Sequence, residues 1–159
     1  MLAALVETMR PKQWIKNLLV YAGALFSLKF FDLPSLLRAT AAFFLFSMIS
    51  GCVYIMNDLM DYKRDLEHPE KRNRPIPSGR LPRGAALASL ILIFLGSFAV
   101  SFWLSVPFGI VAACYFVMNI AYSMKLKHMV IIDVMIIALG FVFRAVAGAV
   151  VINVEFSHW

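Results

Sequence analysis

Three aspartates and an asparagine lie at short, regular spacing where a long apolar stretch ends. Asp58 comes three residues before Asp61 and seven before Asp65, and Asn57 comes four before Asp61. On a helix these positions share one face, so the three carboxylates would repel one another. A hard divalent cation relieves the repulsion, and Mg²⁺ takes oxygen ligands from carboxylates and substrate phosphate. The spacing therefore predicts a magnesium site with Asn57, Asp58, Asp61 and Asp65 as ligands.

A group of cations follows the aspartates in a loop that prolines restrict. Lys71, Arg72 and Arg74 lie between Pro69 and Pro75. Arginine offers a planar fork that matches phosphate oxygens, and lysine offers a point charge. Together the acids and bases predict a site for a metal-bound diphosphate, in which the three aspartates are catalytic because their metal stabilises the leaving group. A solvated helix end and a loop anchored to anionic lipid are the structural alternatives.

The elements that carry these residues are those of a membrane protein. The chain has 159 residues, of which 62% are hydrophobic, and its mean hydropathy is +0.80. Soluble domains are nearer half apolar. We expect an all-α, polytopic bundle of transmembrane helices that forms a single membrane domain over residues 1–159. The five apolar stretches long enough to cross ~30 Å of hydrocarbon are 14–32, 36–56, 84–104, 107–124 and 130–152.

The net charge of +6 follows the expected membrane topology. Lysines and arginines are concentrated in the N-terminal segment and in the connections at 57–83 and 125–129. The positive-inside rule places these regions, and the acidic cluster with them, in the cytoplasm. We therefore expect an integral protein of a bacterial-type inner membrane whose active site faces the cytoplasm. Because topology explains the basic excess, nucleic-acid binding is not expected.

The acidic cluster resembles a motif of the UbiA superfamily of intramembrane prenyltransferases. Asn57-Asp58-x-x-Asp61-x-x-x-Asp65 matches the first Asp-rich motif of that superfamily in full. The residues that follow also match, namely His68-Pro69-x-Lys71 and Arg74-Pro75-Ile76-x-Ser78-Gly79. The resemblance implies a fold of about nine helices, of which this chain would be the N-terminal half. It also implies transfer of a prenyl group from prenyl diphosphate to an aromatic acceptor as one possible activity.

Three further segments are similar to one branch of the superfamily, the decaprenyl-phosphate phosphoribosyltransferases. They are Arg10-Pro11-Lys12-Gln13-Trp14-Ile15-Lys16-Asn17, Tyr122-Ser123-x-x-Leu126-Lys127, and Asp133-Val134 with Gly140 to Gly148. Members of this branch move phosphoribose from phosphoribosyl diphosphate to a polyprenyl phosphate. The resemblance implies a Mg²⁺-dependent transferase with a decaprenyl-like phosphate as acceptor. The acidic motif does not decide between the two donors, because negative charge builds on the leaving diphosphate in both reactions.

A phosphoribosyl donor and a lipid phosphate acceptor both need polar groups beyond the acidic motif. Lys16 and Asn17, at the first apolar stretch, are candidates for the 5-phosphate and the ribose hydroxyls. The acceptor phosphate needs cations near the interface, and Lys127 and Arg144 could supply them. These residues, with the cations of the 71–74 loop, make up most of the predicted substrate-binding set.

Two ionisable residues of the fifth apolar stretch complete that set together with a tyrosine. Asp133 and Arg144 lie eleven residues apart, close to three helical turns, and could face the same side. A charge within a membrane segment is a functional hypothesis by default, and a structural pair is the alternative. Tyr122 could line the cavity, with an interhelical hydrogen bond as its alternative. A transporter or channel subunit is the non-enzymatic alternative for the whole chain.

Overall fold

The computed structural model describes residues 1–124 and 130–154, and within those ranges no residue is in a strand. The all-α fold is thereby confirmed. The α-helices are α1 (Leu2–Thr8), α2 (Ala22–Phe26), α3 (Leu33–Met60), α4 (Tyr62–Glu67), α5 (Arg83–Leu104), α6 (Val106–Met124) and α7 (Val130–Val151). The 3-10 helices are Pro11–Tyr21, Lys29–Phe31 and Lys71–Asn73.

Four helices in the described ranges are long and apolar enough to cross a membrane, namely α3, α5, α6 and the Ile132–Val151 part of α7. They coincide with the last four predicted stretches, which confirms the polytopic bundle for these spans. Consecutive long helices pack against one another, and α7 also packs on α3, so that the four surround a common core. The core is apolar, with Phe46, Ile49 and Phe108 fully buried at its centre.

The first predicted span, 14–32, is wrong as a continuous helix. Its residues form the 3-10 helix Pro11–Tyr21, the short α2 and a second 3-10 turn. Arg10 and Leu28 have left-handed backbone conformations, with φ of 53° and 59°. A non-glycine residue in that region interrupts a right-handed helix. Arg10 therefore separates α1 from the 3-10 helix that follows it, and Leu28 is the break inside the predicted span. The apolar pattern alone carries no signal for these two breaks.

Residues 10–31, which we call the broken segment, nevertheless run along α3 in the antiparallel direction. At its start the Arg10 side chain contacts Asp58, near the C-terminal end of α3. Further along, the Tyr21 hydroxyl donates to Thr40, near the beginning of α3. A 3-10 helix rises ~2.0 Å per residue, against ~1.5 Å for an α-helix, so it covers the same distance with fewer residues. The segment therefore lies beside α3 over much of that helix.

Two glycines allow the broken segment to lie directly against α7. A Cβ atom on Gly148 would stand 1.7 Å from the backbone oxygen of Val20. A Cβ atom on Gly23 would stand 2.8 Å from backbone atoms of Ala149. Backbone atoms cannot turn aside as a flexible side chain does, so only glycine fits at either position. This close contact sets the register between the broken segment and α7, and with it the position of site residues on both.

Helix α1 is attached to the 71–82 loop by an ion pair. The Arg80 guanidinium donates to both carboxylate oxygens of Glu7, at 2.8 Å and 2.9 Å, and to the backbone oxygen of Asn73 at 3.0 Å. The hydrogen bonds from Arg80 lower the pKa of Glu7 below its ordinary value. The N-terminus and the basic loop therefore lie at the same end of the bundle, as the charge distribution predicts.

Candidate functional site

Two buried carboxylates converge where α3 ends and α4 begins. Asp58 is 2% exposed and Asp65 is 1% exposed. One guanidinium nitrogen of Arg74 lies 3.3 Å from Asp58 and 2.7 Å from Asp65, and Arg10 lies 2.7 Å from Asp58. A buried carboxylate is costly unless it is paired, so this arrangement requires positive charge between the two aspartates.

The loop after α4 is folded so that Arg74 turns back toward the aspartates. The backbone N–H of Ser78 donates to the Arg74 carbonyl at 2.9 Å, and that of Leu81 donates to the Pro75 carbonyl at 2.9 Å. Gly79, with φ of 77°, supplies the left-handed conformation that this turn needs. Ile76 and Leu81 are buried below it in an apolar cluster. The loop is thus a packed structure that fixes the direction of Arg74.

The other two predicted metal ligands, Asp61 and Asn57, have different surroundings. Asp61 stands between α3 and α4, and its side chain is 34% exposed and 4.0 Å from Arg64. The Oδ1 atom of Asn57 accepts a hydrogen bond from the Ser123 hydroxyl at 2.5 Å, which ties α3 to α6. Asp61 is therefore the most accessible of the three aspartates, while the Asn57 oxygen is engaged by a neighbouring helix.

The residues of the cluster fit Mg²⁺ in the chemistry of their donors. All four offer oxygen ligands, which this hard cation prefers. The guanidinium of Arg74 is the cation that lies between Asp58 and Asp65. Within residues 1–124 and 130–154 no three His, Cys, Asp or Glu side chains are grouped closely enough to hold a metal. The magnesium site therefore stays a prediction.

The other predicted phosphate ligands of the loop lie at the surface. Lys71 and Arg72 are exposed in the 3-10 turn Lys71–Asn73, which follows the aspartates. Arg74, also predicted to contact diphosphate, is half-buried and pairs with the two aspartates instead. Lys127, predicted for the acceptor phosphate, lies outside the described residues. The loop therefore presents two cations at the surface and directs a third inward.

A cavity of about 140 Å³ lies beside the acidic cluster, further into the membrane-spanning part of the bundle. Tyr54, on its wall, precedes Asp58 by four residues and thus lies one turn deeper on α3. The polar side chains on the wall come from the broken segment, α3, α6 and α7. The lining residues are Lys16, Tyr54, Tyr115, Met118, Asn119, Tyr122, Ile136, Ile137, Gly140, Phe141 and Arg144.

Arg144 is the deepest charged residue on the wall, and it is held by polar groups from three elements. Its Nε–H donates to Oδ1 of Asn17 at 2.8 Å, and its terminal nitrogens donate to the Gly140 carbonyl at 2.5 Å and to the Tyr115 hydroxyl at 3.2 Å. Asn17 is buried, and its amide nitrogen donates to two serine hydroxyls of α3. Asn17, predicted to bind substrate, thus positions Arg144 and does not line the cavity.

Asp133 and Arg144 do not form the pair that their spacing on α7 made conceivable. Asp133 accepts the Tyr122 hydroxyl at 2.6 Å, which links α7 to α6. Tyr122 lines the cavity and Asp133 does not. Of the predicted substrate-binding residues, the cavity therefore brings together Lys16, Tyr122 and Arg144.

An apolar groove of about 520 Å³ adjoins this cavity along the broken segment. Lys16 and Phe141 belong to the walls of both spaces. Apart from Lys16, the groove is lined by apolar and aromatic residues, namely Ile15, Leu18, Leu19, Tyr21, Ala22, Leu25, Phe26, Phe30 and Phe141. A charged cavity thus opens next to a surface suited to hydrocarbon, with one lysine at their boundary.

Three residues for which the sequence predicts no individual role are part of the site. Arg10 pairs with Asp58 and lies over the Tyr54 ring, 4.7 Å from its centre. Tyr54 lines the cavity, and Ser123 holds Asn57. Arg10 and Asp58 are 48 positions apart, so no local spacing could have paired them. Arg10 and Ser123 did stand in the segments that carried the family resemblance.

Comparison with known proteins places these features in a family context. The model of the UbiA prenyltransferase family matches residues 17–159. The chain is 34% identical over 165 residues to the decaprenyl-phosphate phosphoribosyltransferase of Mycolicibacterium smegmatis, covering 100% of this chain and 51% of that protein. It is 35% identical over 159 residues to the protein of the same name from Corynebacterium glutamicum, covering 98% and 48%.

A relative with a different name is more distant. The digeranylgeranylglyceryl phosphate synthase of Methanothermobacter thermautotrophicus is 30% identical over 121 residues, covering 73% of this chain and 41% of that protein. The chain spans about half the length of the curated relatives that it matches. The part shared with the two phosphoribosyltransferases, 100% and 98% of this chain, includes the acidic cluster, the loop that follows it and the cavity.

Proposed function

The chain belongs to the UbiA prenyltransferase family, and from that premise we propose that it is a membrane transferase acting on phosphoribosyl diphosphate. It moves 5-phosphoribose to a polyprenyl phosphate of the decaprenyl type, at the cytoplasmic face of a bacterial-type inner membrane. In this proposal residues 1–159 are the N-terminal part of a longer membrane domain. The names of the relatives at 34% and 35% identity support the choice of substrates.

The observation that carries the proposal is the pair of buried aspartates that share one cation. Asp58 and Asp65 both contact Arg74, so two carboxylates converge where the divalent metal of a metal–diphosphate complex would need oxygen ligands. Asn57 and the three aspartates would hold Mg²⁺, which when bound offsets the negative charge that builds on the leaving diphosphate. Lys71 and Arg72 are exposed on the loop, and in this proposal they contact diphosphate oxygens from the cytoplasmic side.

The chain's own residues would then orient the donor. Arg10 and Arg74 hold Asp58 in a fixed position, so the acidic cluster is organised before substrate binds. The Tyr54 hydroxyl lines the cavity beside it, where it can donate to ribose or phosphate oxygens. The Tyr122 hydroxyl donates its hydrogen to Asp133, so its oxygen can accept from a ribose hydroxyl there. Side chains of α3, α6 and α7 form most of the wall of this space.

The polarity of the cavity favours a phosphoribosyl donor over a prenyl donor. A prenyl chain placed beside the acidic cluster would lie against Arg144 and Lys16, and apolar groups do not compensate buried charge. The apolar groove that adjoins the cavity suits an isoprenoid tail, with Lys16 near the acceptor's phosphate. The two spaces therefore match a polar donor and a lipid acceptor that meet at one lysine.

The test is a transfer assay on the protein expressed from its native reading frame and reconstituted in lipid nanodiscs. With phosphoribosyl diphosphate labelled in the ribose, decaprenyl phosphate and Mg²⁺, we expect label in the lipid fraction, and none when the metal is chelated. The comparison reaction contains labelled prenyl diphosphate and an aromatic acceptor. Consumption of prenyl diphosphate without any phosphoribosylated lipid would contradict the proposal in favour of aromatic prenyl transfer.

A further inference from the structure

We propose that the cavity around Arg144 is a binding site for a phosphomonoester, distinct from the metal–diphosphate site at the aspartates. This inference rests on the proposed function for the identity of its ligand. Both substrates of that reaction carry a phosphomonoester that is not the leaving diphosphate. One is the 5-phosphate of the donor, and the other is the head group of the polyprenyl phosphate.

The first argument is the charge of Arg144. Its side chain is buried, with 7% exposure, in a helix that crosses the membrane. Its hydrogen-bond acceptors are an amide oxygen, a backbone carbonyl and a phenol, and all three are neutral. Among the described residues no carboxylate forms an ion pair with it. A buried guanidinium without a counter-charge is unfavourable, and an anionic ligand would compensate it.

The second argument is the donor capacity that Arg144 retains. A guanidinium has five N–H groups, and three of them are used by Asn17, Gly140 and Tyr115. Because the residue lines the cavity, the remaining N–H groups can contact a ligand there. The rings of Phe46, Tyr115 and Phe141 lie within 6 Å of its central carbon, and they hold the guanidinium in place.

The third argument is the sign of the charge on the cavity wall. Lys16 and Arg144 are both cations, and no carboxylate is among the lining residues of the described chain. The carboxylate of Asp133 accepts the hydroxyl hydrogen of Tyr122 and does not itself line the cavity. The hydroxyl of Tyr54 and the side-chain amide of Asn119 add neutral donors. A space with two cations and no acid selects an anion, and phosphate oxygens match its donors.

The fourth argument is the separation of Arg144 from the acidic cluster. Asn17, which holds Arg144, contacts Ser47 and Ser50, two to three turns before Asp58 on α3. At 1.5 Å per residue this places the two sites roughly 12–16 Å apart along the helix. One phosphate cannot contact both positions. A phosphomonoester at Arg144 would therefore be separate from the diphosphate at the aspartates. The cavity that would hold it has a volume of about 140 Å³.

Binding of phosphomonoesters without metal tests the inference. The protein in zwitterionic nanodiscs with EDTA is titrated by calorimetry with ribose 5-phosphate and, separately, with farnesyl phosphate. We expect the wild type to bind at least one of them. Lys16→Gln, at the exposed rim, should weaken that binding about tenfold, and Arg144→Lys should weaken it by about ten- to a hundredfold, because each removes a charge-assisted contact.

The control is Arg83→Gln, which removes an arginine that stacks on Tyr62 and does not line the cavity. It should bind both ligands as the wild type does. Heat from partition of a ligand into the lipid of the disc is the same in all variants, so a loss seen only with Lys16→Gln or Arg144→Lys reports the cavity. Preference for ribose 5-phosphate would assign the cavity to the donor, and preference for farnesyl phosphate would assign it to the acceptor. Absence of metal-free binding, or equal binding by wild type and Lys16→Gln, would overturn the inference.

The outcomes separate this inference from the proposed function. Binding without metal involves no transfer, so a protein that fails the transfer assay can still show a phosphomonoester site at Arg144. A protein that transfers phosphoribose yet binds both ligands independently of Lys16 and Arg144 would retain the function and lose the inference. Lys16→Gln keeps the test decisive if Arg144→Lys does not fold, since Lys16 is exposed.

Discussion

Replacing Gly148 by alanine is expected to lower the free energy of unfolding by about 3 kcal/mol or more. The added methyl group would stand 1.7 Å from the backbone oxygen of Val20. The broken segment would have to move away from α7, and Asn17, three residues before Val20, would move with it. Thermal unfolding of the purified protein in detergent should show a large decrease of the midpoint temperature.

The matched control is Gly96→Ala on α5. A Cβ atom at Gly96 meets nothing within 4 Å, and alanine is favoured over glycine in a helix by about 1 kcal/mol. This variant should therefore be as stable as the wild type or slightly more stable. If Gly148→Ala unfolded at the wild-type temperature, the close packing of the broken segment on α7 would be incorrect.

The second large effect is expected at Asp61. Changing it to asparagine keeps the shape and removes the charge of the most accessible aspartate, so kcat for phosphoribosyl transfer should fall about 10²- to 10³-fold. Because the side chain is partly exposed, the midpoint of thermal unfolding should change little. The measurement is the initial rate at saturating substrates, together with a thermal unfolding curve of the same preparation.

Glu67→Gln is the control for the loss of a carboxylate in the same region. Glu67 is exposed at the end of α4 and lies outside the predicted metal ligands, so its removal should leave kcat within about twofold of the wild type, as surface substitutions usually do. Equal activity of Asp61→Asn and wild type would exclude the proposed role. It would favour the transporter or channel alternative, which needs no carboxylate at this position.

The long helices could be predicted from the sequence because each is a local pattern. Apolar runs of about 20 residues specify α3, α5, α6 and α7 without reference to the rest of the chain. The first span could not be predicted, since its form depends on left-handed residues at Arg10 and Leu28 and on the contact between Val20 and Gly148. That contact joins residues 128 positions apart, and a single sequence does not contain such information.

The candidate site also has one part that the sequence predicts and another that depends on contacts between distant residues. The convergence of Asp58 and Asp65 is predictable because a spacing of seven residues, close to two turns, places side chains on one helix face. Their partners are not, because Arg10 reaches Asp58 from the N-terminal segment and Ser123 reaches Asn57 from α6. The charge of Arg144 was visible in the sequence. Its neutral surroundings follow only from the packing of the broken segment, α6 and α7 around it.

The most direct test of the central claim is the affinity for phosphoribosyl diphosphate with and without Mg²⁺, measured by calorimetry on wild type and Asp61→Asn in nanodiscs. If the acidic cluster holds a metal-bound diphosphate, Mg²⁺ should raise the affinity of the wild type about tenfold or more, and the variant should lose most of that gain. The same affinity in both proteins, or in the presence and absence of Mg²⁺, would contradict the account.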